Sequence, residues 1–260
     1  MNDKKKKLIQ NIAAGSVAAA AMIAIVSGNL HFKERIQSST NRAEASVTAV
    51  PAAEAAYQTY MKNLPSAVQE KIKKSAETNK PIQLVIAGDE ATPAQGGWPQ
   101  ALADKLKEAY GPDMFHVTVK SYPQKTTKQW MDEKIYSEIA SLKPDVLLYE
   151  PALLTDSGVV GKQESAANTQ NIADEISKAV PGVAVLIQPS NPLYQAKYFP
   201  AVVQLVKETM QSKGYTYVDH WQAWPANDDL LKYLASPTGF ANDEGQKVWA
   251  KYMTEYFVAK

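Results

Sequence analysis

After Pro81 the chain settles into a rhythm that leaves few folds open to it: short apolar runs alternate with amphipathic stretches of helical period. The runs lie at 82–87, 115–119, 146–149, 183–187 and 215–218. The one at 146–149 carries no charged residue and reads as a strand covered on both faces. Between the runs, Leu102 and Leu106 share a face of a helix expected at 99–110. Trp130, Met131, Ile135 and Ile139 give a helix at 128–142. Further helices are expected at 165–179, ended by Pro181-Gly182, at 200–212, closed by Gly214, and at 228–234 and 243–257. Strands alternating with helices of this length pair in parallel and cross over right-handedly. The expectation is a three-layer α/β domain built on one parallel sheet.

The first eighty residues stand apart from that rhythm. Residues 4–7 are four lysines, and 8–30 are uncharged and rich in Ala and Ile. That length is close to the roughly 20 residues that cross a bilayer. Lysines ahead of such a span predict a cytoplasmic N-terminus and an exported remainder. Two readings stay open: a retained transmembrane helix, or a signal peptide cleaved near Val26-Ser27-Gly28. Residues 31–51 are polar and small and read as a tether. A helical lead-in broken at Pro65 follows, so the chain divides into 1–30, 31–80 and a domain at 81–260. Lys71, Lys73 and Lys74 read as a solvated face of that lead-in. The domain has material for a core, since 45% of the chain is hydrophobic. A net charge of +1 gives no reason to expect a nucleic-acid partner. The absence of cysteine excludes a disulfide scaffold, thiol catalysis and cysteine metal sites.

In an open parallel sheet, ligands bind beyond the carboxyl ends of the strands. Those ends carry Gly88, Asp89, Glu90 and Thr92 after the first run, then Ser121, then Glu150 with Thr155 and Asp156, then Gln188, Ser190 and Asn191, and finally Asp219, His220 and Trp221. Asp89, Glu90, Glu150 and Asp156 form a possible acidic cluster, but they lack any recognised ligand spacing, so neither metal nor cofactor is expected. Of three histidines, His31 lies beside the apolar span and His116 begins a strand at the far end of the sheet. His220 alone reaches the rim. It reads either as a general base or as a ring packed under Trp221 and Trp224 and bonded to backbone. Tyr194, Tyr198 and Phe199 offer aromatic faces suited to a groove for sugar rings.

The stretch at 84–99, LVIAGDEATPAQGGWP, resembles the first signature block of the SGNH/GDSL hydrolases, a Gly-Asp-Ser turn. The resemblance runs over 82–257 and also rests on Pro144-Asp145, Thr155-Asp156, Asn242 and Gly245. It implies a flavodoxin-like three-layer fold of SGNH type and ester or O-acyl hydrolysis. In that chemistry a serine attacks, a histidine takes its proton and an aspartate orients the histidine. The serine N–H, a glycine N–H and an asparagine side chain form the oxyanion hole. Here Glu90 falls at the serine, Thr155 at the asparagine and Phe240 at the histidine, and Ser121-Tyr122-Pro123 stands after strand two where the glycine is expected.

Two functions follow as expectations. One is an esterase or O-acyl hydrolase acting on cell-envelope carbohydrate or lipid, with His220 as base, Thr155 as oxyanion donor and Ser121 or Thr92 as nucleophile. Asp89, Glu90, Glu150, Asp156, Asn191 and Tyr194 would then contact substrate. The other is a catalytically degenerate module that keeps the cleft and binds envelope glycan or a partner protein. Either would sit at the cell membrane with its C-terminal domain outside, or be secreted if the N-terminus is cleaved.

Overall fold

The computed structural model describes residues 57–259. The expected membrane segment and tether lie outside these residues. Among the described residues no helix is long and apolar enough to cross a membrane.

Five parallel strands form one sheet: β1 (Ile82–Gly88), β2 (Phe115–Ser121), β3 (Val146–Tyr149), β4 (Ala184–Ile187) and β5 (Thr216–Tyr217). Their spatial order is β2-β1-β3-β4-β5. This is the flavodoxin-like order, in which the chain reverses its winding between β1 and β3. Alternation along the strands sorts side chains to the two faces. Leu84, Ile86, Val146, Leu148 and Leu186 enter one core with α1 (Ser66–Thr78), α2 (Gly97–Tyr110) and α8 (Asp243–Phe257). Val85, Ala87, Leu147, Val185 and Ile187 enter the other. That face is covered by α3 (Thr127–Asp132), α4 (Ile135–Ser141), α6 (Lys162–Ala179) and α7 (Tyr198–Ser212). A single turn, α5 (Leu153–Asp156), follows β3. Three helices and five strands thus both begin and end within a residue or two of where the sequence places them, α8 among them at Asp243–Phe257.

Two expectations are corrected. The helix expected at 128–142 is two helices, broken at Lys134, whose φ is 55°. Both Trp130 and Ile139 are fully buried. Nine residues at 3.6 per turn place them about 180° apart on a straight helix, so one chain break is needed to turn both inward. The segment expected as a helix at 228–234 is a 3-10 helix, Asn227–Tyr233, that buries only Leu230. One apolar anchor gives a longer α-helix there little to pack against.

Candidate functional site

The rim of the sheet is tied together by a buried carboxylate. Glu150 follows β3 with no exposed surface. It accepts the Asp89 main-chain N–H at 3.0 Å, the Thr92 hydroxyl at 3.2 Å and the Ser190 hydroxyl. The ends of β1, β3 and β4 therefore converge on one side chain. Gly88 is what allows this approach: a Cβ there would run into Thr92 Oγ1 and Glu150 Oε2. Gly88→Ala is expected to cost about 1–3 kcal/mol of stability through overpacking, read as a lowered urea midpoint with an unchanged slope.

Asp89 is equally buried. Its Oδ1 accepts from the Ala91 N–H at 2.8 Å, its Oδ2 accepts from the Thr155 hydroxyl at 2.8 Å, and its carbonyl accepts from the Ser121 hydroxyl at 2.9 Å. Burial, with the Glu90 charge beside it, pushes its carboxyl up to about 6. Burial and the neighbouring Asp89 push Glu150 up as well. Both carboxyls belong to the scaffold of the rim, not to an open surface.

His220 opens the 3-10 turn His220–Ala223 after β5. Its Nδ1 accepts from Trp224 Nε1 at 2.9 Å. The proton is therefore on Nε2, which donates to the Pro189 carbonyl at 2.8 Å. The ring stacks on Trp249, centroid to centroid at 4.0 Å. Complete burial pushes its pKa down to about 3. With both nitrogens engaged and no exposed surface, His220 cannot take a proton from a substrate at neutral pH. The general-base reading is corrected in favour of a packed ring, under Trp224 and Trp249.

The open feature at this rim is a cleft of about 650 Å³. Glu90, Gln124, Thr155, Lys197, Tyr198 and Phe240 are among the side chains that line it. Of the residues expected to act in catalysis or contact substrate, it brings together Glu90 and Thr155, and of the expected aromatic groove, Tyr198 and Phe199. Thr92 is buried and spends its proton on Glu150, so it is not a nucleophile. Ser121 is held by the Asp89 carbonyl with no base beside it. Asp156 does not line the cleft; it accepts from the Thr127 N–H at 2.8 Å and hydroxyl at 2.6 Å. Asn191 clamps the loop that carries Phe240, donating to Gly239 O and accepting from the Ala241 N–H, each at 3.1 Å. Tyr194 donates to Asp228 at 2.7 Å and does not line the cleft, unlike Tyr198 and Phe199. Among the described residues no three carboxylate, imidazole or thiol groups gather as a metal-binding set.

Sequence reasoning missed Gln124. It stands in the loop after β2 with a left-handed backbone, φ 59°, the conformation usually left to glycine. It lines the cleft, and its N–H donates to Glu90 Oε1 at 2.8 Å. No residue-type signal marks a glutamine for this place.

No family model matches the chain, and no curated protein matches it. Solved structures do. Axe2, an acetylxylan esterase from Geobacillus stearothermophilus, is 15% identical, with 68% of this chain and 94% of that chain covered and a TM-score of 0.56. A protein described as a GDSL-like lipase from Parabacteroides merdae is 12% identical, covering 68% and 96%, with a TM-score of 0.59. The acetyl xylan esterase AlAXEase is 14% identical, covering 66% and 98%, at 0.54. The fold is that of the SGNH/GDSL hydrolases. At these identities the likeness is one of fold.

By the sequence resemblance, Glu90 falls where the family's serine is expected and Phe240, which cannot carry a proton, where its histidine is expected. Gln124 lies in the loop after β2, and its N–H is taken by Glu90. Thr155, expected at the asparagine, donates its hydroxyl proton to Asp89. The expectation of Thr155 as an oxyanion donor is corrected on that ground.

Proposed function

We propose that this chain is a non-hydrolytic SGNH-fold module that binds cell-envelope glycan in its cleft. One observation carries the reading: the Glu90 carboxylate holds the Gln124 N–H at 2.8 Å. We read that N–H, in the loop after β2, as the donor an ester hydrolase would keep for the developing oxyanion, and here a negative oxygen sits on it. Carboxylate charge there repels the tetrahedral intermediate instead of stabilising it. The apolar walls, Leu193, Phe199 and Phe240, with the half-exposed ring of Tyr198, suit the faces of sugar rings. Retained cleft volume falls within the range of small-molecule sites.

The purified chain is expected to hydrolyse p-nitrophenyl acetate no faster than buffer. Glu90→Ser is expected to stay inactive too, because Phe240 supplies no base. Saturable turnover by either protein, absent from a matched blank preparation, overturns the reading. Envelope polysaccharide should instead bind saturably, measured by calorimetry.

The proposal places the module outside the cell on its N-terminal segment, which the lysines at 4–7 ahead of the apolar 8–30 support. Protease added to intact, wall-stripped cells should then digest the domain. Protection until lysis would reverse the topology.

A further inference from the structure

We propose that the cleft recognises a zwitterion, a sugar-sized ligand whose ammonium group meets Glu90 and whose anionic group meets Lys197. The proposal deepens the binding reading above and rests on it.

Glu90 and Lys197 line the same cavity of about 650 Å³, and they make no ion pair with each other. Glu90 has acceptor capacity to spare. Its Oε1 takes the Gln124 N–H. Its Oε2 lies 3.4 Å from Thr155 Oγ1, but that hydroxyl has one proton and points it at Asp89 Oδ2, 2.8 Å away. Oε2 is therefore left facing the cleft without a good donor. An anionic or purely acceptor group brought to this wall is repelled; a donor is attracted, and a charged donor most strongly.

The other charge lining the cavity is that of Lys197. Lys197 is the one lysine or arginine among the residues lining the cavity. Lys197 has neither an ion pair nor a hydrogen bond among the described residues. It also immediately precedes α7, whose first turn adds positive potential to the same spot. Phe199 and Phe240 supply apolar wall in the same cavity. A neutral ligand leaves both charges unanswered, and a singly charged one leaves one. A zwitterion answers both.

The test uses four probes on one ring: glucosamine 6-phosphate, glucosamine, glucose 6-phosphate and glucose. Each is titrated calorimetrically into the full chain in a nonionic detergent. Glucosamine 6-phosphate is expected to bind tightest and glucose weakest. Glu90→Gln keeps an oxygen for Gln124, so an unchanged melting temperature is expected. It should weaken the two amine-bearing probes about tenfold, as loss of a charged hydrogen bond does, and spare glucose 6-phosphate. Lys197→Met should weaken the two phosphate-bearing probes by only about threefold, since an exposed ion pair is worth little. Equal binding of all four, or variants that weaken all four alike, overturns the zwitterion while leaving a sugar-binding cleft. Failure of all four to bind overturns both readings.

Discussion

His220→Ala is expected to destabilise the domain by about 3–5 kcal/mol, the range for truncating a large buried ring. The substitution removes the partner stacked on Trp249 at 4.0 Å. It also leaves the Trp224 Nε1–H and the Pro189 carbonyl without their bonds to the ring, and each buried orphan adds to the loss. The check is chemical denaturation followed by tryptophan fluorescence, which reports on the same cluster. A change below about 1 kcal/mol, the ordinary size of a surface substitution's effect, would show that the ring is not part of the core.

Glu150→Ala is the second large effect. It strands a backbone N–H on Asp89 and the hydroxyls of Thr92 and Ser190 at the point where three strand ends meet. At about 1–3 kcal/mol for each orphaned donor, the variant is expected to lose several kcal/mol or fail to fold. Glu150→Gln makes the contrast. Its carbonyl oxygen can keep Asp89 N–H and Thr92 on one side, while the Ser190 hydroxyl reverses to accept from the amide. It should fold with a far smaller loss, measured by thermal melting beside the alanine variant. Equal damage from both would mean that charge, not bond geometry, is what the rim requires.

These groups also shape stability against pH. His220 is held neutral with a folded pKa of about 3 against an ordinary 6.5. The unfolded chain binds its proton more readily, so this group's contribution grows as pH rises from about 3 to 6.5. Asp89 runs the other way, from an ordinary 3.8 up to about 6, so its contribution is lost as pH rises through that window. Glu150, also raised, acts in the same direction as Asp89. The opposing slopes flatten the wild-type curve. Removing His220 should leave a domain whose stability falls as pH rises through that window.

The sheet was legible because its signal is carried by many residues at once. Each of the five apolar runs lies within one or two residues of a strand, and crossover helices follow from parallel pairing. The broken helix at Lys134 was less so, because the positions of Trp130 and Ile139 satisfy a helical pattern locally while pointing opposite ways. The site was half legible. Glu90, Thr155 and Phe240 were placed by the Gly-Asp turn, the Thr155-Asp156 pair and the segment before the last helix, in that order. Which polar rim residues face the cleft was not, because a strand end does not say whether Glu150 or Glu90 turns inward. Gln124 was invisible for a different reason: its contribution is a backbone N–H set by a φ of 59°, and a side-chain alphabet does not record that.

The division between rim and cleft has a consequence for how such a chain changes over generations. The polar bonds that lock β1, β3 and β4 together run through Asp89, Thr92, Glu150 and Ser190, none of which lines the opening. Selection for folding alone therefore holds those positions, and His220 with them, whether or not any reaction is performed. Glu90, Lys197 and Phe240 carry no comparable duty and are free to drift or be retuned. A lineage can lose a chemistry at this rim, or exchange one ligand for another, without passing through an unfolded ancestor. The Gly-Asp turn serves the architecture whichever residue follows it.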